Sequence, residues 1–359
     1  MQILLFLGGL LALIVGAELL VRGASRLALS FGISPLVVGL TIVAFGTSAP
    51  EIAVSVGAAL DGRTDIAVGN VVGSNIFNVL FILGLSSLIT PLVVNAQIVR
   101  QEVPIMIGAA ALLLAFALDG QIGFWESGFL LTLLLVYTVF LIVQSRRELQ
   151  ATRDEYEHEV VKASRWDAHW AVQLLLIAGG LALLVLGSQW LVAAATAFAR
   201  AMGVSDLVIA LTIVAAGTSL PEVATSIMAA IRKERDIAIG NVIGSNIFNI
   251  LGCLGLTGLV AGNGLPIAAG LLNFDILVML AVTFACLPVF LSGREIARWE
   301  GGVFIAYYIA YATYVVLTAQ QHAALPAFGT AMLSFVLPLT MVTLVVVMLR
   351  STPPTGSGD

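Results

Sequence analysis

Long apolar runs separated by short polar segments make up most of this 359-residue chain. Hydrophobic residues account for 60% of the sequence and charged residues for only 10%, whereas soluble domains carry about 25% charged residues. A helix needs roughly 20 mostly apolar residues to cross a bilayer, and the chain offers that length many times. The runs are continuous rather than alternating, which disfavours a membrane β-barrel. The sequence therefore predicts an all-α polytopic membrane protein.

Eleven membrane spans are predicted, and we number them in chain order. Their ranges are 2–21, 35–60, 66–90, 103–118, 124–144, 170–192, 207–231, 236–261, 271–291, 300–319 and 326–349. The first run lacks a basic leading region and has a counterpart later in the chain, so we interpret it as a retained helix rather than a signal peptide. The tail, 350–359, is rich in Pro, Gly and Ser and is expected to be disordered.

The chain repeats itself at an offset of 171 residues. Residues 40–80 align with 211–251 without a gap, and 27 of the 41 positions are identical. The duplicated unit contains five spans, which defines repeat 1 (1–144), a polar linker (145–169), repeat 2 (170–319) and one extra transmembrane segment (320–349). An odd-numbered unit and its copy must enter the membrane in opposite orientations. We therefore predict two inverted five-helix repeats plus one C-terminal helix, an arrangement typical of transporters.

The distribution of basic residues predicts how the spans are oriented. Of the 16 Lys and Arg residues, 14 fall on one side of the predicted membrane, and only Arg63 and Arg200 fall on the other. Loops rich in Lys and Arg remain in the cytoplasm. The N-terminus is therefore expected outside, with the linker between spans 5 and 6 and the C-terminus in the cytoplasm.

Two carboxylates stand inside the apolar runs at equivalent positions of the repeats. Glu51 ends the segment GTSAPE (46–51) and Glu222 ends GTSLPE (217–222), both predicted to lie mid-helix in spans 2 and 7. A charge at membrane depth is costly unless it is paired or solvated, which makes it a functional candidate. Since the core of each predicted span lacks Lys and Arg, the two acids are expected to be protonated or to bind cations.

A proline precedes each of these acids. Pro50 and Pro221 lack a backbone donor, so each is expected to free the carbonyl group of the residue four positions earlier, Gly46 or Gly217. A freed carbonyl at membrane depth needs another partner or a wet cavity. Both glycines would also let a neighbouring helix approach closely.

Spans 3 and 8 each contain the segment GSNIFN, at 73–78 and 244–249. Its Ser and Asn are four residues apart and share one helix face. Together with the Thr-Ser pairs beside the prolines, the repeated segments offer hard oxygen ligands, which suit sodium or calcium rather than a transition metal. One such motif alone is more often a packing kink, but two copies favour an ion site. The candidate side chains are Thr47, Ser48, Glu51, Ser74, Asn78, Thr218, Ser219, Glu222, Ser245 and Asn249.

The two GTSxPE…GNVxGSNIFN segments resemble the paired alpha repeats of the sodium/calcium exchanger family, within the calcium/cation antiporter superfamily. The resemblance covers spans 1–10 and is to the bacterial and archaeal type. It implies a secondary transporter, not an enzyme, in a prokaryotic plasma (inner) membrane, exchanging sodium for calcium without a cofactor. It also implies alternating access in which spans 1 and 6 slide over the core.

The same resemblance implies a ligand set. It consists of the ten candidate side chains above and two backbone carbonyl groups, those of Ala44 and Ala215. This chain has Asn249 where some family members have Asp, so its site has one acid fewer than theirs.

Other functions compete with sodium/calcium exchange. Proton-coupled cation exchange could use the same acids, and a cation channel would also need a polar path. An intramembrane enzyme is disfavoured, because the sequence has neither a zinc-binding His-Glu-x-x-His motif nor a paired catalytic Asp. A net charge of −5 gives no basic surface for nucleic acid. The expected partners are therefore calcium, sodium and the lipid bilayer.

Overall fold

The computed structural model describes residues 2–156, 169–202 and 215–350. Within these ranges nine helices are long and apolar enough to cross a membrane, and a bent pair at 35–60 makes a tenth. Span 7 is described from Ala215 onward. The predicted polytopic helical fold is thereby confirmed. Residues 157–168 of the predicted linker and 351–359 of the predicted tail lie outside the described residues.

The helices follow the predicted spans with some changes at their ends. Spans 1 and 6 both continue about ten residues beyond their predicted limits, and the helix of span 5 runs into the range predicted as linker. A 30-residue helix is about 45 Å long, so span 1 exceeds a hydrocarbon core of roughly 30 Å. In chain order the helices are Gln2–Phe31, Pro35–Thr47 with Ala49–Leu60 (span 2), Thr64–Ile89, Ile98–Ala117, Phe124–Tyr156, Trp170–Ala201, Ala215–Gly217 with Leu220–Ile231 (span 7), Arg235–Ala261, Leu271–Leu291, Arg298–Ala319, and Leu325–Ala331 leading through a π-helical turn into Leu337–Arg350 (span 11).

Spans 3 and 8 form the centre of the molecule. The membrane-crossing part of span 8 is buried along its whole length and that of span 3 is mostly buried, whereas almost no described residue in those of spans 10 and 11 is fully buried. Spans 2 and 7 pack against this pair. The four spans that carry the repeated polar segments therefore form the core, and spans 4, 5, 9 and 10 surround it.

Two short antiparallel ribbons show the inversion directly. Strand β1 (Leu92–Val93) pairs with β4 (Glu295–Ile296), and β2 (Gln121–Ile122) pairs with β3 (Leu265–Pro266). Each ribbon joins one repeat to the other, and the repeat symmetry exchanges the two ribbons. Because β1 precedes span 4 and β2 follows it, the ribbons lie on opposite sides of the membrane. The two repeats are therefore inverted, as predicted.

Spans 1 and 6 pack antiparallel along a line of glycines. A Cβ atom added to Gly9 would lie 2.8 Å from the carbonyl oxygen of Gly187, and one added to Gly16 would lie 2.8 Å from that of Gly180. Small residues allow helix backbones to approach closely in membranes. The repeat symmetry maps each of these contacts onto the other, since an offset of 171 takes Gly9 to Gly180 and Gly16 to Gly187.

Candidate cation site

Span 2 is broken next to the first acid. Its two helices, Pro35–Thr47 and Ala49–Leu60, meet at an angle of 43°. Pro50 stands in the first turn of the second helix, where its missing N–H would have no helical partner in any case. The prediction that Glu51 lies mid-helix is therefore wrong. Glu51 lies in a first turn, where the positive end of the helix dipole favours a carboxylate.

Span 7 repeats this geometry. The helix Leu220–Ile231 has Pro221 and Glu222 in its first turn, so the mid-helix prediction is wrong for Glu222 as well. The freed carbonyl that the sequence predicts at Gly217 has found a partner, because it accepts a hydrogen bond of 2.9 Å from the hydroxyl of Ser188 in span 6. The cause of both corrections is that proline begins a helix more readily than it continues one.

The glycines before the breaks allow span 6 to approach, as the sequence predicts. A Cβ atom on Gly46 would lie 2.6 Å from a methyl carbon of Leu181, and one on Gly217 would collide with Val192. Leu181 and Val192 both belong to span 6. Span 6 is therefore in close contact with both breaks.

Each acid is hydrogen-bonded by a serine of the opposite repeat. The hydroxyl of Ser219 donates to Glu51 Oε1 over 2.8 Å, and the hydroxyl of Ser48 donates to Glu222 Oε1 over 3.0 Å. Both carboxylates are completely buried and close enough to repel each other electrostatically. Within the described residues neither is shown paired with a Lys or Arg. The structure thus brings together the two acids singled out by the sequence.

Further hydroxyls surround the two carboxylates. Ser219 Oγ also lies 3.2 Å from Ser74 Oγ in span 3, and the hydroxyls of Ser74 and Thr218 interact with Glu51. Thr47 interacts with Glu222 in the same way, and its Oγ1 lies 3.3 Å from the carbonyl oxygen of Ala44. Hydroxyls from spans 2, 3 and 7 therefore gather around the acids.

Several oxygen atoms of this region are buried without a hydrogen-bond partner. They are Glu51 Oε2, Glu222 Oε2, Asn78 Oδ1, Asn249 Oδ1 and Ser245 Oγ. An unsatisfied buried polar group costs about 1–3 kcal/mol, and a charged one costs more. Carboxylate and amide oxygens are ligands of calcium. A hard cation would satisfy atoms that the polypeptide leaves unsatisfied.

Asn78 and Asn249 stand in irregular turns of the two central spans. Asn78 begins the π-helical turn Asn78–Leu83, and Asn249 is the second residue of Phe248–Leu254. A π-helical turn inside an α-helix frequently marks a functional site. Every candidate side chain is buried except that of Thr218, which is half-buried. The side chain of Ala215 lies outside the described residues.

Sequence reasoning missed a second pair of asparagines, which hold the acid-bearing helices in place. Asn70 Nδ2 donates to the backbone oxygen of Glu51 over 3.3 Å, and Asn241 Nδ2 donates to that of Glu222 over 3.4 Å. Both side chains also donate to a serine one turn further on. The signal was present, since Asn70 and Asn241 occupy the same position of the repeated GNVxGSNIFN segment. Asn75 and Asn246, also missed, connect spans 3 and 8.

The repeated halves with this arrangement match a known family. The family model described as sodium/calcium exchanger protein matches residues 1–143 and 172–317. The chain belongs to the sodium/calcium exchanger family. The matched ranges end within a few residues of the limits of the two five-span repeats, which supports the family resemblance predicted from the GTSxPE and GSNIFN segments.

Several similar proteins cover most of the chain. The putative antiporter CaxA of Alkalimonas amylolytica is 40% identical over 309 residues, covering 84% of this chain and 95% of that protein. Inner membrane protein YrbG of Escherichia coli K12 is 36% identical, with coverage of 79% and 87%. Sodium/calcium exchanger MaX1 of Methanosarcina acetivorans is 33% identical, with coverage of 86% and 96%.

The fold is also similar to that of a solved exchanger. The sodium-calcium exchanger NCX_Mj, soaked with 10 mM Na+ and zero Ca2+, superimposes with a TM-score of 0.72 at 31% identity, covering 87% of this chain and 99% of that one. The family membership and this match support cation antiport by an integral membrane protein. They place the chain among exchangers and transporters.

Proposed function

We propose that this protein is a sodium/calcium antiporter, in which sodium entering down its gradient drives calcium out through one shared site. The observation that carries the proposal is the reciprocal bonding of Glu51 and Glu222. Each carboxylate is held through Oε1 by a serine of the other repeat, while its Oε2 has no partner. Two carboxylates carry a charge that one calcium ion or two sodium ions would neutralise.

The proposed ligands are those that the family resemblance implies. Two carboxylates, two amide oxygens, six hydroxyls and two backbone carbonyls form the set, which is rich in the oxygen types that calcium and sodium accept. The ligand atoms belong to Ala44, Thr47, Ser48, Glu51, Ser74, Asn78, Ala215, Thr218, Ser219, Glu222, Ser245 and Asn249.

Exchange rather than leakage follows from the charge of the site. Two unpaired carboxylates in a low-dielectric core are unfavourable without cations, so the states bound to sodium or calcium are the ones that cross. We further propose that spans 1 and 6 slide together over the core to open the site to either side. Their close glycine contacts support their movement as one unit.

Calcium flux into proteoliposomes tests the proposal. Vesicles containing the purified protein are loaded with sodium and diluted into medium containing radioactive calcium and either sodium or choline. Calcium uptake is expected only with choline outside, because only then does an outward sodium gradient exist. Glu51→Gln and Glu222→Gln are each expected to abolish uptake. Asp61→Asn, which changes an exposed acid paired with Arg63, serves as the matched control and should retain it.

The same vesicles distinguish the competing functions. Sodium-free vesicles that take up calcium in response to an imposed pH gradient would indicate proton coupling. Uptake without any ion on the opposite side would indicate a channel. Sodium-dependent uptake that survives in both glutamine variants would contradict the proposed site.

We also propose an inner-membrane location with the N-terminus outside and the linker and C-terminus in the cytoplasm, supported by the distribution of basic residues. Labelling with a membrane-impermeant maleimide tests this orientation. Arg63→Cys is expected to react from outside intact cells, whereas Arg294→Cys should react only after lysis. The two native cysteines, Cys253 and Cys286, are buried, so background labelling should be low. Reaction of Arg294→Cys in intact cells would reverse the orientation.

A further inference from the structure

Two asparagines with no proposed ligand role, Asn75 and Asn246, stand between the ligand positions of spans 3 and 8. We propose that they are positioning residues, which lock the amides of Asn78 and Asn249 with their oxygens available to the transported ion. This inference rests on the proposed function, because it concerns ligands of the same site.

The first step is the contact of each asparagine with the opposite backbone. Asn75 Nδ2 donates to the carbonyl oxygen of Asn246 over 3.2 Å, and Asn246 Nδ2 donates to that of Asn75 over 3.5 Å. A backbone carbonyl can only accept a hydrogen bond. These contacts therefore fix which end of each side-chain amide carries its hydrogens.

Two methionines of the surrounding spans complete this orientation. Asn75 Nδ2 lies 3.7 Å from Met279 Sδ in span 9, and Asn246 Nδ2 lies 3.5 Å from Met106 Sδ in span 4. A thioether sulfur is a weak acceptor. Both amide hydrogens of each asparagine are thus engaged, and the side-chain oxygen must face the other way.

The orientation of Asn75 and Asn246 in turn fixes the orientation of the ligand amides. Asn249 Nδ2 donates to Asn75 Oδ1 over 3.1 Å, and Asn78 Nδ2 donates to Asn246 Oδ1 over 3.0 Å. Because the nitrogen end of each ligand amide is held, its oxygen end points away from this contact. Those two oxygens, Asn78 Oδ1 and Asn249 Oδ1, are buried without a partner.

Turning either ligand amide by half a rotation would be unfavourable at both ends. It would place two oxygens against each other at Asn75 or Asn246. It would also present N–H groups to the cation instead of an oxygen. The contacts on the side away from the ion therefore determine the chemical group that faces the ion, although Asn75 and Asn246 are not proposed to touch it.

Hydrogen bonds between spans 3 and 8 could instead serve only to join the two helices, since polar side chains do so in membrane proteins. The two roles predict different results when the ligand residue changes. An Asp at 249 presents an oxygen whichever way it is turned, so it needs no orientation from Asn75. The bond by which Asn75 Nδ2 joins the backbone of Asn246 does not involve residue 249, so a joining role predicts the same loss in both backgrounds.

The test combines Asn75→Leu with Asn249→Asp. Calcium binding is measured by titration calorimetry on the purified full chain. In the native background, Asn75→Leu is expected to weaken calcium binding by about tenfold, the effect of losing roughly one hydrogen bond. In the Asn249→Asp background the same substitution should not weaken binding, because the Asp carboxylate needs no orientation and Asn75 Oδ1 would face one of its oxygens. An equal loss in both backgrounds would overturn the inference.

The repeat symmetry supplies an independent second test, which is Asn246→Leu with and without Asn78→Asp. If the leucine variants fail to fold, Asn75→Ser and Asn246→Ser replace them, because a serine side chain is too short to reach the ligand amide. Binding by the native protein separates this inference from the proposed function. Native protein that binds neither calcium nor sodium would overturn both. Binding with equal losses in the two backgrounds would overturn only the positioning role.

Discussion

The hydroxyl of Ser188 donates a 2.9 Å hydrogen bond to the carbonyl oxygen of Gly217, the last residue of the short helix before the break in span 7. Span 6 thus supplies a hydrogen-bond donor to the broken backbone of span 7. The equivalent position of the first repeat is Ala17, which has no hydroxyl. The two halves therefore differ at the breaks beside their acids.

We expect Ser188→Ala to lower the thermal stability of the protein in detergent, because it leaves a buried carbonyl without its donor at a cost of about 1–3 kcal/mol. Sodium-dependent calcium uptake should fall as well, since the break precedes Glu222. Ser188→Thr keeps the hydroxyl and should remain near the native values. A melting temperature unchanged in the alanine variant would show that this bond contributes nothing.

Close packing of spans 1 and 6 leads to a second prediction, with a control at the neighbouring residue. Gly9→Ala would place a Cβ atom 2.8 Å from the backbone oxygen of Gly187, whereas Gly8→Ala would place one 3.8 Å from the ring of Trp190, an ordinary contact. Gly9→Ala is expected to force the helices apart and reduce calcium uptake severely.

The same comparison can be made on the opposite helix. Gly180→Ala would approach the backbone oxygen of Gly16 to 2.7 Å, while the Cβ atom of Gly179→Ala would meet open space. Gly8→Ala and Gly179→Ala should transport calcium at native rates in proteoliposomes. Equal rates in all four variants would show that spans 1 and 6 need no close contact.

The serines that cross between the repeats give a third prediction. Removing the hydroxyl of Ser219 takes a hydrogen bond from Glu51, and removing that of Ser48 takes one from Glu222. Hydrogen bonds to charged groups contribute about 1.5–3 kcal/mol, so each alanine variant should raise the calcium concentration for half-maximal uptake by about tenfold or more.

Thr132→Ala is the control for the serine variants. It removes an exposed hydroxyl that donates to the backbone oxygen of Gly128 within span 5. Its half-maximal calcium concentration should match that of the native protein. If both serine variants matched it too, the hydroxyls around the acids would not act as ligands or as partners of ligands.

The sequence predicted much of this architecture because the information was local or duplicated. The apolar runs gave the spans, and the offset of 171 residues gave the inverted repeats and the equivalence of Glu51 and Glu222. The breaks in spans 2 and 7 were not predicted, and both acids were placed mid-helix, since the same Pro can bend a helix or begin one. Asn75 and Asn246 were missed because their partners lie across the repeat boundary, which no pattern along the chain records.

A further pair of equivalent contacts cannot be found with a constant repeat offset. The offset increases after the matched segment, from 171 residues to 173 between strands β1 and β3 (Leu92 to Leu265). Glu102 therefore corresponds to Asp275, at the ends of the equivalent π-helical turns Ile98–Glu102 and Leu271–Asp275. The constant offset would have aligned Glu102 with Asn273, so the relation of the two acids became visible only in three dimensions.

Each of these two acids accepts a hydrogen bond from a tyrosine of the next span. Tyr137 donates to Glu102 over 2.7 Å, and Tyr311 donates to Asp275 over 2.8 Å. Glu102 is fully buried and also accepts hydrogen bonds from Gln97 and Gln101, whereas Asp275 is half-buried. The pairs tie span 4 to span 5 and span 9 to span 10, outside the core that holds the candidate site.

We expect Tyr137→Phe to lower the melting temperature of the purified protein more than Tyr311→Phe does, because it leaves the more deeply buried acid short of a donor. The loss for Tyr137→Phe should be about 1–3 kcal/mol of unfolding free energy. Tyr308→Phe is the control. The constant offset of 171 would align Tyr308 with Tyr137, but its ring packs at steep angles against the rings of Phe77 and Phe81, a contact that phenylalanine preserves. A larger loss in Tyr308→Phe than in Tyr311→Phe would show that the tyrosine–acid pairs are not the equivalent stabilising contacts of the two repeats.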